Sequence, residues 1–276
     1  MTFRIVELTE IEDLRKLQKL FEAVWARPGE PAINSDVLKA LSHSGNYVFG
    51  AYEEDRLDHL IGGLVGWFGG MPSHELHLHS HILGVVAGSE ARGLGFELKQ
   101  HQRRWCLERG VKVIEWTTDP LVRRNAYFNL TKLGAGAHKY LVNVYGEMTD
   151  GINAGEESDR LLISWQLDSR STEAAAAGRG SEPLLDELRR DGAVELLSIG
   201  PAGEPVGGRV HGAVSTSRVL ICQVPDDIVA VRRSNPTLAR SWRLALRHAL
   251  MDSIAAGYDV SGATRSGWYV LEIRAN

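Results

Sequence analysis

An apolar strand that runs straight into a glycine-rich turn, and from there into a helix, constrains this chain more than any other feature. The segment is "ILGVVAGSEARGLGFELKQHQRRWCLERG", residues 82–110. Glycines at 88, 93 and 95 let backbone approach a ligand closely. The first N–H groups of the helix point outward with the helix dipole behind them. Such a turn is an anion cradle suited to a pyrophosphate; the competing reading is a plain capped connection. Two familiar cradles are excluded. No Gly-Lys-Ser/Thr closes the turn as a P-loop requires, and a dinucleotide fold would place the turn after the first strand.

Here several elements come first. "FRIVEL" reads as a strand and "TEIEDLRKLQKLFEAVW" as an amphipathic helix, with Thr9 and Glu12 in capping-box spacing. "NSDVLKALSHSG" predicts a short helix capped by Asn34 or Ser35, and "YVFGAYEEDRLDHLIGGLVGWFGG" a hairpin. The strand "HLHSHILGVV" leads into the glycine turn and a helix over about 93–109. "VKVIEWTTD" follows as a strand, "VRRNAYFNLTKLGA" as a short helix, and "KYLVNVYGEM" and "RLLISWQL" as two more strands. The order is β-α-α-β-β-β-α-β-α-β-β.

The chain of 276 residues has a net charge of −4, with 43% hydrophobic residues. That describes an ordinary globular protein with no overall pull toward nucleic acid or an anionic membrane. Cys106 and Cys222 stand far apart, which argues against a disulfide scaffold or a thiolate metal site. Neither a secretory signal nor an apolar run of membrane-spanning length is visible, so a cytoplasmic location is expected.

"SHELHLHSH" places His74, His77, His79 and His81 close together. Strand alternation sets His77, His79 and His81 on one face and Ser80 on the other. The three imidazoles invite a metal reading, but no carboxylate or thiolate pattern completes a known motif. No metal is therefore expected.

Together, "VVAGSEARGLG" and the later "RRNAYFNLTKLGA" resemble the acyl-CoA-binding motif and the second motif of the GNAT acyltransferase superfamily. The resemblance covers about residues 3–168, and the element order above is similar to that fold. It implies an α/β class with a mixed sheet, and acetyl-CoA or another acyl-CoA as co-substrate. Carried over by position, Val85 would pair its backbone with pantetheine. Glu90, Ala91, Arg92, Gly93, Leu94 and Gly95 would form the pyrophosphate loop, with Phe96 starting the helix. Ala126, Phe128 and Leu133 would line the thiol end of the channel. Two positions depart from the family pattern. Glu90 stands where Gln or Arg is usual, so Arg92 becomes the candidate positive charge. Leu130 stands where a tyrosine commonly protonates the leaving thiolate, which leaves Tyr127, Tyr140 and Tyr145 as substitutes.

The resemblance further implies transfer of an acetyl or other short acyl group to a primary amine of a small molecule, by direct attack in a ternary complex. Amino-acid N-succinyl transfer from succinyl-CoA and a non-catalytic CoA-binding module are the alternatives. An α-amine costs about 1 kcal/mol to deprotonate at pH 7, a lysine-like amine roughly 4.6 kcal/mol. His79 or His81 is the candidate base, because this strand borders the acceptor cleft in the family. Asp119, at the end of "EWTTD", is a candidate to hold the acceptor ammonium or relay a proton; a capping role competes. Arg160 could clamp an acceptor carboxylate, or make a local ion pair.

Composition divides the chain into a GNAT-like domain (1–168), a small polar linker (169–182) in which "STEAAAA" could form a helical turn, and a C-terminal α/β domain (183–276), which could be a degenerate second half of the same fold. Arg240, Arg243 and Arg247 form a basic stripe on its long helix and read as a solvated face. Two roles stay open for residues 183–276: closing the acceptor cleft, or forming a homodimer interface.

Overall fold

The computed structural model describes residues 3–25, 31–54, 56–70, 76–86, 93–146, 157–207 and 217–274. The chain divides into two compact units, Met1–Trp116 and Thr117–Asn276. The first holds β1 (Phe3–Glu7), α1 (Ile11–Val24), α2 (Ser35–His43), β2 (Tyr47–Glu53), β3 (Arg56–Gly69), β4 (His77–Val85), α3 (Leu94–Leu107) and most of β5 (Val113–Thr118). Strands β1 to β4 run antiparallel in sequence order, and β4 then meets β5 in parallel.

Periodicity dictates this layout. In α1, Leu14, Leu17, Leu20 and Phe21 repeat at helical spacing and are buried. They pack with Leu38, Val48, Tyr52, Val65 and Ile82 into the core of the first unit. Burying such side chains contributes about 1.5–3 kcal/mol each. The capping box does not form: the N-cap is Glu10, without a side-chain bond, and the Thr9 hydroxyl donates to Glu10 Oε1 instead. The helix begins one residue later than that motif requires.

The second unit continues with α4 (Arg123–Ala126), which runs on as a π-helical turn (Tyr127–Lys132), then β6 (Gly136–Leu141) and β7 (Arg160–Gln166). After them come α5 (Arg170–Ala176), α6 (Leu185–Arg190), β8 (Val194–Ile199), β9 (Pro205–Gly207), β10 (Val219–Gln223), α7 (Ile228–Ser234), α8 (Pro236–Ala255), β11 (Tyr258–Ala263) and β12 (Trp268–Ile273). Its strand order is β7-β6-β11-β12-β10-β8-β9. A succession of strand, helix and antiparallel hairpin occurs twice: β5, α4, β6–β7, and β10, α8, β11–β12. The two hairpins abut, β6 antiparallel to β11 at Ala137 and Val260.

Several expectations shift here. Residues 170–176 of the polar linker form α5, with Thr172 and Ala175 buried. "DDIVAV" forms α7, which Asp227 caps by accepting from Ala230 N–H. Strand β6 starts and ends earlier than "KYLVNVYGEM" suggests. The backbone N–H groups of Asn143 and Tyr145 go to Asp159 Oδ1 and Ser158 Oγ instead of extending the ladder.

Gly134 closes the π-helical turn with φ of +70°, and a Cβ there would lie 2.7 Å from Ser171 O. Gly134→Ala should therefore lose about 2–4 kcal/mol in urea unfolding, from left-handed backbone plus overpacking. A loss under about 0.5 kcal/mol would show that this turn is not so constrained.

Candidate active site

Strand β4 has two unlike edges. Toward β3 it is paired along its length, from Gly69↔His77 to Gly62↔Val85. A bulge interrupts that ladder: Val65 faces Ile82 and Gly66 faces Ser80, so His81 has no partner. Toward β5 the parallel ladder holds two pairs, Leu78↔Ile114 and His79↔Glu115, and stops. Among the described residues of this unit, β4 has no ladder on that side from Ser80 to Val85. Backbone polar groups there are free to pair with an extended amide-bearing ligand.

The start of α3 lies next in the chain. Gly93 is its N-cap at φ +88°, a left-handed conformation that favours glycine. Leu94 is fully buried and anchors the first turn, while Gly95 and Phe96 are half-buried. The N–H groups of Phe96 and Glu97 bond back to Gly93 O. Glu90, Ala91 and Arg92 lie outside the described residues, as does His74.

The histidine face of β4 gathers around Trp67. Its ring centroid is 5.1 Å from that of His79 and 4.6 Å from that of His81, and the two imidazoles are 5.8 Å apart. Desolvation, then His81, His77 and Lys99, lower the His79 pKa to about 4. Desolvation also lowers that of His81, whose ring still reaches solvent. Both are neutral at pH 7. His77 lies 3.8 Å from Glu115. Beside His81 opens a cavity of about 620 Å³, walled by Ile33, Val37, Leu41, Trp67 and Phe68, with Asn34 and Asn46 at its polar points. Asn46 is already committed, accepting from Phe68 N–H and donating to Leu41 O. Among the described residues, the polar side chains left at this cavity are the His81 imidazole and the Asn34 amide. Among the described residues, no group of three or more His, Cys, Asp or Glu is placed to hold a metal ion.

On the opposite face of β4 sits a residue that the sequence reading passed over. Lys99 of α3 is 3% exposed; its Nζ donates to Ser80 Oγ at 2.8 Å and to Gln102 Oε1 at 3.4 Å, and lies 3.7 Å from the Trp116 ring centre. Burial lowers its pKa to about 7. The available signal was the stripe Lys99, Gln102, Cys106, which adjoins the apolar positions Leu98 and Trp105. Folding lowers this pKa from 10.5, so between about pH 7 and 10.5 the unfolded chain holds a proton that the folded chain lacks. This lysine makes stability rise with pH through that window. Lys99→Met should abolish that part of the rise between pH 7 and 9.5 in denaturant titrations; an unchanged slope would contradict the burial of a titrating amine.

In the second unit Asp119 is buried and bound by two arginines. Arg243 contacts both oxygens, at 2.8 and 3.1 Å, and Arg232 contacts Oδ2 at 2.6 Å. Burial alone would raise the Asp119 pKa, but the two guanidinium groups hold it well below the usual carboxylate range. Asp119 Oδ1 also accepts from Leu121 N–H, the turn role that competed with the catalytic one. The basic stripe of α8 is corrected by the same contacts. Arg243 is 3% exposed, and Arg247 reaches inward to Asp159 at 2.8 Å and to Glu157. Three carboxylates that lie far from α8 in sequence, Asp119, Asp159 and Glu157, draw Arg243 and Arg247 off the solvated face.

Tyr127 accepts from Arg265 Nε at 3.0 Å. Ala126 and Leu133 are buried and Phe128 is half-buried. Leu130 is buried, and Tyr140 donates to Asp159 at 2.7 Å, with its pKa raised by burial and by that carboxylate. Asp119→Ala would leave two buried arginines without their shared partner and should cost about 3–5 kcal/mol in chemical denaturation. A loss below about 1 kcal/mol would mean the ion pairs are dispensable.

No protein-family profile matches the chain, and no curated protein sequence does. Solved structures are similar to part of it. An N-acetyltransferase from Staphylococcus aureus Mu50 aligns with 61% of this chain and 100% of its own, at 15% identity and TM-score 0.49. Arabidopsis thaliana Naa50, in complex with the bisubstrate analogue CoA-Ac-MVNAL, aligns with 59% and 98%, at 19% identity and TM-score 0.45. Aminoglycoside 6'-acetyltransferase type Ii aligns with 60% and 99%, at 17% identity and TM-score 0.46. Over residues 3–168 the chain shows the strand and helix order expected from its sequence, β-α-α-β-β-β-α-β-α-β-β.

Proposed function

We propose that this protein is an acyl-CoA-dependent N-acyltransferase acting on a small primary amine. The observation that carries the reading is the open edge of β4 from Ser80 to Val85, beside a strand bulge and a histidine-rimmed cavity. An extended pantetheine amide fits an unpaired strand edge. The glycine-capped start of α3 fits the pyrophosphate, with the backbone N–H groups of Leu94 and Gly95 offered at its first turn. Bound acyl-CoA supplies a thioester carbonyl as the electrophile; the chain supplies position and a proton acceptor.

His81 is our candidate base, since its neutral imidazole rims the cavity. Trp67 lies between the two imidazoles, closer to His81, and we read its strand partner His79 as packing that helps hold the indole against His81. A base of lowered pKa suits a weakly basic acceptor: an α-amine gives up its proton at far less cost than a lysine-like amine. We assign Asp119 to structure, because both its oxygens are held by arginine. Tyr127 remains the candidate acid in place of Leu130. The cavity of about 620 Å³ matches a small-molecule acceptor. No helix of the described residues is long and apolar enough to cross a membrane.

A screen of primary amines against acetyl-CoA and succinyl-CoA, read by thiol release, tests the reading. With the best acceptor, kcat/KM should rise from pH 6 to 8 as the free amine loses its proton, the imidazole proton having been lost at lower pH. His81→Gln should lower kcat by about 10²-fold with the fold intact. Cofactor binding without turnover on any amine would favour the non-catalytic module; neither binding nor turnover would overturn both.

A further inference from the structure

Among its described residues the second unit draws Arg160, Arg232, Arg243 and Arg247 inward, and the last three are neutralised. Arg232 and Arg243 share Asp119, and Arg247 holds Asp159 and Glu157. Arg160, at the first position of β7, is the exception. Its guanidinium donates to the backbone carbonyl of Asp159 at 2.8 Å, and it pairs with no carboxylate among the described residues. One of its five N–H donors is used by that bond. The half-buried charge is retained in spite of its surroundings: desolvation, Arg243 and Arg232 disfavour it, and Asp119 favours it. Arg160, Arg232, Arg243 and Arg247 stand against the carboxylates of Asp119, Asp159 and Glu157, so one positive charge, that of Arg160, is left without its own carboxylate and attracts an anion.

The site around Arg160 is built. Asp159, the preceding residue, is fully buried and accepts from Tyr140, Asn143 N–H and Arg247. Those bonds fix the first residue of β7 and the direction in which Arg160 leaves it. Above the guanidinium lies the Tyr145 ring, 5.4 Å from Cζ, and its hydroxyl meets Thr117 Oγ1 at 3.0 Å. Tyr145 is 54% exposed, so the assembly opens to solvent. A fixed planar fork with free parallel N–H groups, in a field of excess positive charge, matches a carboxylate in bidentate geometry.

We propose that Arg160, covered by Tyr145 and Thr117, binds the carboxylate of a small-molecule reactant. The site itself follows from the second unit alone; that its ligand is a reactant rests on the acyltransferase reading. The carboxylate belongs either to the amine acceptor, as in an α-amino acid, or to a dicarboxylic acyl group.

Two readouts test this and separate it from the acyltransferase reading. In the first, wild type, Arg160→Gln and Arg160→Lys are titrated calorimetrically with sodium succinate at constant ionic strength. Wild type should bind, Arg160→Gln should weaken binding at least tenfold, and Arg160→Lys should fall between them. In the second, kcat/KM is compared for α-amino acids and their amides with acetyl-CoA, and for a carboxylate-free amine with succinyl-CoA and acetyl-CoA. The arm in which Arg160→Gln removes a tenfold or greater preference for the carboxylate identifies its source. Arg160-dependent succinate binding without any amine acylation would leave the site standing and sink the acyltransferase reading. No succinate binding by wild type, or equal binding by Arg160→Gln, overturns the carboxylate site.

Discussion

A buried strand must pair its backbone on both sides, and among the described residues β4 does so along its full length on one side only. The antiparallel ladder to β3 runs its full length, whereas the parallel ladder to β5 stops after His79 and Glu115. Polar groups of the following residues need partners, and a ligand with its own amides is one way to provide them. The bulge at His81 falls at the same point of the strand and releases that residue from the ladder to β3. Strand pairing thus locates both the open edge and the histidine that borders the cavity.

Each unit also carries a buried charge whose handling differs. Lys99 relies on neutral oxygens and an aromatic face, so its ammonium is destabilised and its pKa falls to about 7. Asp119 is met by two guanidinium groups and keeps its charge. The difference follows from partner chemistry: a buried ion persists where opposite charge and hydrogen bonds replace its water, and otherwise shifts toward neutrality. Asp119 and Asp159 hold the arginines of α7 and α8, and that long-range pairing is what separates Arg160 from the other buried guanidinium groups.

Local order was readable wherever local rules govern. The amphipathic period of α1, the hairpin β2–β3, the histidine strand and the glycine-capped α3 all follow from residue spacing, and so does the order of elements through β7. Features set by contacts distant in sequence were not readable. Arg243 and Arg247 looked like a solvated stripe because Asp119 and Asp159, more than 80 residues away, are invisible to helix periodicity. Lys99 was missed because a lysine beside an apolar stripe normally reaches water. Strand β11 went unrecognised because "YDVSGA" carries glycine and aspartate against β propensity, and pairing with β12 overrides it. At the site, the alternation of His77, His79 and His81 was legible, but a ladder offset that frees His81 was not.

The account makes the open edge of β4 and the first turn of α3 the seat of the acyl donor. Amide hydrogen exchange, measured with and without acetyl-CoA, tests that most directly. Protection should appear at residues 80–86 and 93–97 and leave the paired strand β2 unchanged. Binding of acetyl-CoA with no protection in those two segments, or with protection confined to residues 183–274, would contradict it.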